Sequence, residues 1–395
     1  MRNRTLPAAG PRAAAGWLAA AAAAVCLAAM VPCAAYASSP EFSRTEEEWA
    51  RLRDNRMEFD ELEGLIQEYN TTVQNNQYQY RKFINDYGDT NADVAGAYND
   101  LAADLYDMIS GDDSASGMMQ DLNLRIQADN MLKQSSETLE DSRIYLLTYE
   151  KAEKSLAASA QSGFIEYHKL LLTRQDQEEA VGGAQESLAD AELKRAAGTA
   201  TELDVLNAAE ALRTAEDRLA ATERSIAQRR ESLNIMLGWK YDDQPEMGGL
   251  PDPDEGALSA LDPAADLAAA LENNYTLKIN LRKLENAKDG DTKNDLQTTI
   301  ANNRTKIGNA LNSAYRSVQN ARLTLSQANA RTSLEEQNLA IAGTRLAAGM
   351  ITQRAYNAQA RTAQSARRAA ERARMDLLSA GLTYQWTRDG LAAAE

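Results

Sequence analysis

Val205, Leu212, Leu219, Ile226 and Leu233 recur at intervals of seven, and Ala208, Ala215, Thr222 and Met236 form a companion seam broken only by Arg229. A seven-residue apolar repeat held over this length predicts helices supercoiled about one another. No alternation of period two approaches it in strength anywhere in the chain. Prolines mark the boundaries. After Pro40 the next are Pro245, Pro251, Pro253 and Pro263, and none follows to Glu395. Proline in a helix interior costs about 3 kcal/mol, so the two long proline-free stretches read as helical and residues 239–263 as an irregular connector. The connector ends in Asp262-Pro263, an acceptor at the N-cap followed by proline at the first helical position. Ser43 with Glu46 reads as a capping box that opens the first helix after Pro40.

The pattern occurs twice. Lys194-Arg195-Ala196-Ala197-Gly198 matches Arg345-Leu346-Ala347-Ala348-Gly349 at an offset of 151 residues. The same offset carries the seam onto Tyr356, Ala363, Ala370, Leu377 and Tyr384, and Phe164 onto Tyr315. Each glycine sits where a helical hairpin should reverse. Gly198 is expected in the left-handed conformation at the end of one helix, with Thr199 and Glu202 as a capping box for the next. Gly349 plays the same part, although Thr352 has no matching acid after it. The expected organisation is therefore all-α: long antiparallel coiled-coil helices in two repeated hairpins, 113–238 and 264–390. An accessory helical segment, 43–112, precedes them.

Composition agrees with rods rather than α/β layers. Only 8 prolines and 21 glycines occur in 395 residues, aromatics make up 6%, and Tyr outnumbers Phe by 15 to 4. Strands want a richer supply of Val, Ile and Phe. The net charge of −16 lacks the basic footprint that nucleic acid requires. The first 37 residues read as an export signal. Arg2, Arg4 and Arg12 precede an apolar run of 18 residues, 13–30, and Ala35-Tyr36-Ala37 supplies the small-x-small cleavage pattern. Two alternatives stand beside cleavage after Ala37. One is a retained membrane anchor, since the run nearly matches a bilayer span. The other is lipid attachment at Cys33, against which Met30-Val31-Pro32 lacks the usual Leu and small residues. Cys26 and Cys33 both lie inside this segment, so the exported chain must be held by packing or oligomerisation rather than disulfides.

Chemistry is sparse. His168 is the only histidine and reads as a solvated surface residue. The sequence carries no cysteine nucleophile, no His/Cys metal set, no phosphate-cradling loop and no nucleophile elbow. Asp242-Asp243 and Asp252, Asp254 and Glu255 lack calcium-loop spacing and read as a solvated connector. No enzyme, cofactor or metal is expected. Tyr69, Tyr78, Tyr80, Phe83, Tyr87, Tyr98 and Tyr106 read as packing of the accessory helices against the long ones. Asn70-Thr71-Thr72 fits a glycosylation sequon, a short pattern that is frequent by chance.

The stretch 194–239, KRAAGTATELDVLNAAEALRTAEDRLAATERSIAQRRESLNIMLGW, resembles the tip and return helix of TolC-type outer-membrane efflux proteins. Basic Lys194, Gly198, Thr201, Asp204, Val205, Ala208 and Leu237-Gly238 fit that family's pattern, and 262–288 resembles the opening of its second repeat. The second tip departs, with Arg354 and Ala355 where Leu and Asp are expected. The resemblance implies a homotrimer whose paired repeats form a hollow α-helical cylinder. Its tips would dock an adaptor (membrane-fusion) protein, fed by an inner or cytoplasmic membrane pump such as an ABC or proton-driven transporter. It assigns docking to Lys194, Gly198, Thr201, Leu203, Asp204, Arg345, Gly349 and Thr352. It also implies an exported protein of the cell envelope, periplasmic or associated with the outer membrane. The family's barrel strands need about 9–11 residues each. Neither 110–117, 138–142 nor the turn after Lys288 has that room, so the chain reads as a barrel-less relative. Two function classes follow: a conduit subunit of an efflux or secretion system, or an exported coiled-coil spacer or adhesin. Paired Gly-Thr tips favour the conduit, because a spacer has no need of them. Adaptors themselves carry β-rich modules, for which no strands appear.

Overall fold

The computed structural model describes residues 41–394; the expected export signal, with both cysteines, lies outside them. In chain order the described elements are α1 (Glu46–Leu52), β1 (Arg56–Met57), α2 (Leu62–Tyr69), α3 (Thr71–Tyr87), α4 (Asn91–Asp107), α5 (Ala115–Glu137) and α6 (Ser142–Ala196). They continue with α7 (Glu202–Leu237), β2 (Glu246–Met247), α8 (Glu255–Ser259), α9 (Pro263–Asn273), α10 (Tyr275–Asn286), α11 (Gly290–Ala347) and α12 (Gln353–Trp386). The all-α expectation holds. Strand among the described residues is confined to β1 and β2, which pair in parallel with Arg56 opposite Glu246 and Met57 opposite Met247.

Two antiparallel hairpins, α6–α7 and α11–α12, form the frame. The 55 residues of α6 extend about 80 Å at 1.5 Å per residue. The heptad positions explain why such a helix holds together. Val205, Ala215 and Leu233 are buried along α7 and Leu212, Leu219 and Ile226 are partly covered; Ala363, Leu377 and Tyr384 repeat this along α12. Toward the tips few seam positions are buried, Val205 and Ala215 on α7 and Ala363 and Ala366 on α12, so little apolar area is removed from water there. Toward the opposite end each hairpin thickens into a core of its own. Phe164, Leu233 and Leu237 pack with Trp49, Met57, Leu62, Leu65 and Ile66 of the preceding segment. Ile307, Leu311, Leu377 and Tyr384 pack with Leu258, Ala270 and Leu277, and Tyr315 lies against them as Phe164 does in the first core. Each fully buried Leu or Ile contributes about 1.5–3 kcal/mol, so stability is concentrated at this end.

The duplication extends to the corners of these cores. Asn70 Oδ1 accepts from the Thr72 and Val73 amides at 2.9 and 3.2 Å, capping α3, while Nδ2 donates to the Met236 carbonyl at 2.7 Å. Asn274 Oδ1 accepts from the Leu277 amide at 2.9 Å, and its Nδ2 donates to the Gly390 and Ala392 carbonyls at 3.3 and 3.0 Å. A positive-φ glycine closes each corner: Gly238 at 93° and Gly390 at 116°. A Cβ on Gly238 would stand 2.4 Å from Tyr69 Cβ, and one on Gly390 2.6 Å from the Asn273 carbonyl oxygen. Asn70 is thus buried and committed to the fold, which removes the sequon reading.

Asp262 and Pro263 open α9 as expected, with Asp262 Oδ1 accepting from Ala264 at 2.9 Å. The first helix starts differently. Ser43 belongs to a short 3-10 turn, Glu41–Ser43, and Thr45 is the N-cap, its amide donating to the Glu48 carboxylate at 2.7 Å. The same Thr-x-x-Glu chemistry lies two residues along because the tight turn consumes Ser43.

The accessory segment divides in two. Helices α2 and α3 lie along α6, and Phe83, stacked on Tyr145 of α6 at 4.0 Å between ring centroids, joins buried Tyr98 with Tyr87 and Met131. Helices α4 and α5 form a hairpin inserted between α3 and α6, and the 112/113 boundary falls within its turn. The hairpin leaves and returns at one point: Asn91 Nδ2 donates to the Thr138 and Glu140 carbonyls at 3.0 and 3.1 Å, and the Ser142 amide to the Asp89 carbonyl at 3.2 Å. In the second copy α10 passes directly into α11 through residues 287–289. That junction is fastened to the hairpin base by Arg282–Asp141 at 2.6 Å, Asn286–Leu139 at 2.8 Å and Lys288–Ser135 at 3.0 Å.

The corners and the rod should respond oppositely to alanine. Gly238→Ala combines left-handed strain with the Tyr69 clash and should lower stability by at least ~1–3 kcal/mol. Gly182→Ala, in open space within α6, should raise it by about 0.5–1 kcal/mol. Thermal denaturation followed by circular dichroism checks both signs.

Candidate functional site: the paired hairpin tips

Both long helices that descend from the cores end in the same way. After α6 the Gly198 amide donates to the Arg195 carbonyl at 2.9 Å and the Thr199 amide to the Lys194 carbonyl at 2.8 Å. After α11 the Gly349 amide donates to Leu346 at 2.9 Å and the Met350 amide to Arg345 at 2.8 Å. These are paired 6→1 and 5→2 bonds that satisfy the last carbonyls, and they require a left-handed residue; Gly198 and Gly349 supply it at φ 75° and 68°. Space around both glycines is open, so backbone conformation alone dictates their identity. The basic side chains of Lys194 and Arg345 fall in the last helical turn, where they complement the carbonyl end.

The return helices start with one register correction. The expected Thr199–Glu202 box does not form, because Thr199 turns its hydroxyl back to the Lys194 carbonyl at 3.0 Å. Thr201 caps α7 instead: the Asp204 amide donates to its hydroxyl oxygen at 3.2 Å and its own amide donates to the Asp204 carboxylate at 2.8 Å. These bonds from Thr201 hold the Asp204 carboxyl below its usual range. Glu202 instead reaches Arg195 across the turn at 2.6 Å. At the second tip Thr352 accepts from the Ala355 amide at 3.2 Å, and no acid completes a box. Leu203 and Met350 stand out at 64% and 76% exposure. The tips therefore present apolar side chains on a rigidly capped turn, with one acid-bearing and one acid-free copy.

Side by side, the two hairpins are joined by ion pairs along α6 and α12. Arg354 meets Asp190 at 2.9 Å, Arg361 meets Glu186 at 3.1 Å, and Arg368 meets Asp176 at 2.6 Å as well as Glu179. Arg372 joins Asp176 at 2.6 Å, and the Trp386 indole donates to Gln161 at 3.0 Å. The first three arginines are seven apart, so they occupy one stripe of α12. Hydrogen bonds from Lys194 and Arg354 lower the Asp190 pKa, which ties the second tip to the first. Arg354, a departure at the sequence level, is the residue that makes this bridge. The helices are thus ordered α7, α6, α12, α11, and the flanks α7 and α11 carry exposed Leu206, Leu323, Leu334 and Ile341.

His168 departs from its expected solvated position. It is half-buried beside Phe164 and Tyr167, with its Nε2 buried and unpartnered. Burial lowers its pKa, partly opposed by a hydrogen bond to the Gly248 backbone. The connector thereby rests on α6, a contact that a lone histidine in the sequence does not announce.

No family model and no curated protein matches the chain. Solved structures do. The outer-membrane channel OprN matches with a TM-score of 0.55 at 14% identity, covering 93% of this chain and 99% of that one. The CmeC outer membrane channel of Campylobacter jejuni matches at 0.53 and 10% identity, covering 93% and 95%. A membrane protein from Pseudomonas aeruginosa matches at 0.53 and 12%, covering 84% and 93%. At such identities the likeness is one of fold, and the fold is that of TolC-type outer-membrane channels. No described helix is long and apolar enough to cross a membrane.

Two outcomes follow from the site. Thr201→Ala should cost about 1 kcal/mol locally, seen as faster hydrogen exchange in the first turn of α7 with the mid-seam amides unchanged. His168 has a folded-state pKa below the ordinary 6.5, so the unfolded chain binds its proton more tightly. Stability is therefore full above that value and falls as the pH drops from it toward the ring's own pKa. His168→Gln should flatten that part of the pH–melting curve.

Proposed function

We propose that three copies of this chain close into a hollow helical conduit for efflux or secretion, exported to the extracytoplasmic cell envelope. Its tips dock an adaptor protein that couples it to a membrane pump of the ABC or proton-driven class. The supporting observation is the pair of capped tips held level by the Arg354–Asp190 bridge at the end of two hairpins whose outer flanks are left open. One chain supplies two similar hairpins, so a cyclic trimer gives a six-hairpin ring in which α7 of one copy meets α11 of the next. Exposed leucines on both flanks suit that closure. The wall of four long helices per chain offers no catalytic constellation, and passage through the lumen is the work it is shaped for.

Docking belongs to Lys194, Gly198, Thr201, Leu203, Asp204, Arg345, Gly349 and Thr352. A spacer or adhesin would use the same rods but would place no demand on the tips. Gly198→Val forces a β-branched residue into the left-handed region at about 1–2 kcal/mol, and Asp204→Arg removes the capping acid and reverses its charge. Both substitutions lie far from the cores, so helicity and trimerisation should persist. Adaptor crosslinking should be lost and the exported compound retained in cells, with smaller effects from Gly349→Val. Normal adaptor capture and export in both first-tip variants would remove the conduit reading.

A further inference from the structure

The wall of four long helices has two unlike faces. One is covered. Phe164 and Tyr167 of α6 turn into the core shared with α2, and Arg230 of α7 donates to the Pro245 carbonyl of the connector at 2.8 Å. Arg374 of α12 pairs with Asp252 of the connector, and Gly308 of α11 lies against Leu267 of α9. At 3.6 residues per turn the opposite face of each helix follows from spacing. It carries the hydroxyls of Ser159, Ser162, Ser225, Ser317, Thr324 and Ser365, all exposed. The large apolar side chains exposed along α7 and α11, Leu206, Leu323, Leu334 and Ile341, lie on the flanks instead.

Charge divides between the same two faces. Arg218 and Arg229 of α7 and Lys306 and Arg331 of α11 fall on the hydroxyl face, whereas Glu210, Glu216, Asp217, Glu223 and Glu231 of α7 fall on its covered side or flank. Two acids oppose the four cations there. Glu166 shares a shallow depression with Arg229 and Trp386, and Glu335, one turn from Arg331, is turned onto Gln359 at 2.9 Å. Lys169 with Asp376, and Arg372 with Asp176, cancel as pairs. The face is therefore net positive on a chain of net charge −16. Height concentrates that charge. A Cβ on Gly163 would stand 3.2 Å from Leu233 Cδ2, and equal steps toward the tip on both helices set Arg218 level with residue 178. The 151-residue offset sets Arg331 level with residue 180.

We propose that the hydroxyl face lines the lumen and makes it a path for organic anions, compounds that carry carboxylate or sulfonate groups. The proposal rests on the conduit reading above. With the connector, α2 and α9 on the other side, a ring of these walls closes with the bare face inward. A cyclic trimer turns each cation into a ring of three. Where α7 of one copy meets α11 of the next, Arg218 and Arg331 fall into one ring of six. Rings of Arg or Lys are the arrangement that admits anions to a pore. The acids of the outer faces stand a helix diameter away, about 10–12 Å, beyond the Debye length of about 8 Å at physiological salt. The inner residues therefore set the field that a cargo meets.

Thiol-modification rates test it in the full chain carrying Cys26→Ser and Cys33→Ser. Ser225→Cys places one thiol on the inner face between Arg218 and Arg229. Ala227→Cys places one on the covered side of the same helix, beside Glu223 and Glu231. The probes are two methanethiosulfonates of similar size, one a sulfonate and one a trimethylammonium. At Ser225→Cys the sulfonate should gain about tenfold over the rate ratio of a small free thiol, as a potential of one or two kT gives. Added salt should shrink that preference, and Ala227→Cys should show none. Arg218→Glu with Arg331→Glu should reverse it while helicity is unchanged; where those acids prevent assembly, Arg218→Gln with Arg331→Gln should abolish it. A chain that is trimeric by light scattering but reacts equally with both probes, or faster with the cation, overturns the anion path and leaves the conduit standing. A monomeric chain overturns both.

Discussion

An isolated helix of 55 residues buries nothing, and most of a helix's stability in a protein comes from the face it packs rather than from propensity. The heptad seam between α6 and α7, repeated between α11 and α12, is therefore the interaction on which the rest depends. The chain must reverse at one defined level, and Gly198 and Gly349 with their paired carbonyl-capping bonds fix that level. A thin seam also leaves little stability near the tips, so the apolar mass is gathered at the other end, in two separate cores built on the same plan.

Electrostatics then does what the seams cannot. The arginine stripe at 354, 361 and 368 joins α6 to α12 through pairs with acids of α6. The more exposed pairs, at Arg354 and Arg361, are worth about 0–1 kcal/mol each, while Arg368, mostly buried and forked onto Glu179, is the firmer contact, so the junction is fixed in register and softest toward the tips. Stiff hairpins whose lateral contacts soften toward the tips suit the docking proposed above. At the far end, α4–α5 is held at its base by backbone-directed bonds.

Much of this was legible in the sequence because its signals are local or periodic. Period seven, proline placement, the 151-residue offset and the two Gly-containing turns each depend on residues within a few turns of one another, so helices, hairpins and tips could be placed. The resemblance of 194–239 to TolC-type tips agrees with the fold later seen in OprN and CmeC. Cap identity was less secure. Thr199 and Thr201 both precede an acid at the right spacing, as do Ser43 and Thr45, and a shift of two residues is decided by where the preceding turn ends. That depends on how tightly the chain reverses, which the cap residues do not encode.

What only the tertiary structure decided are the contacts between distant segments. Asn70 looks like a sequon until it is seen to cap α3 and bond the Met236 carbonyl; His168 looks exposed until the connector lies across it; Arg354 looks like a lapse in the second tip until it reaches Asp190. The α4–α5 hairpin carries helical periodicity that any amphipathic segment has, and nothing along the chain announces that its two ends meet at Asn91 and Thr138. The sequence by itself determined the periodic frame and its duplication, since backbone geometry converts spacing directly into a helix face. The structure determined which faces meet, since that depends on helix axes and turn lengths summed over the whole chain.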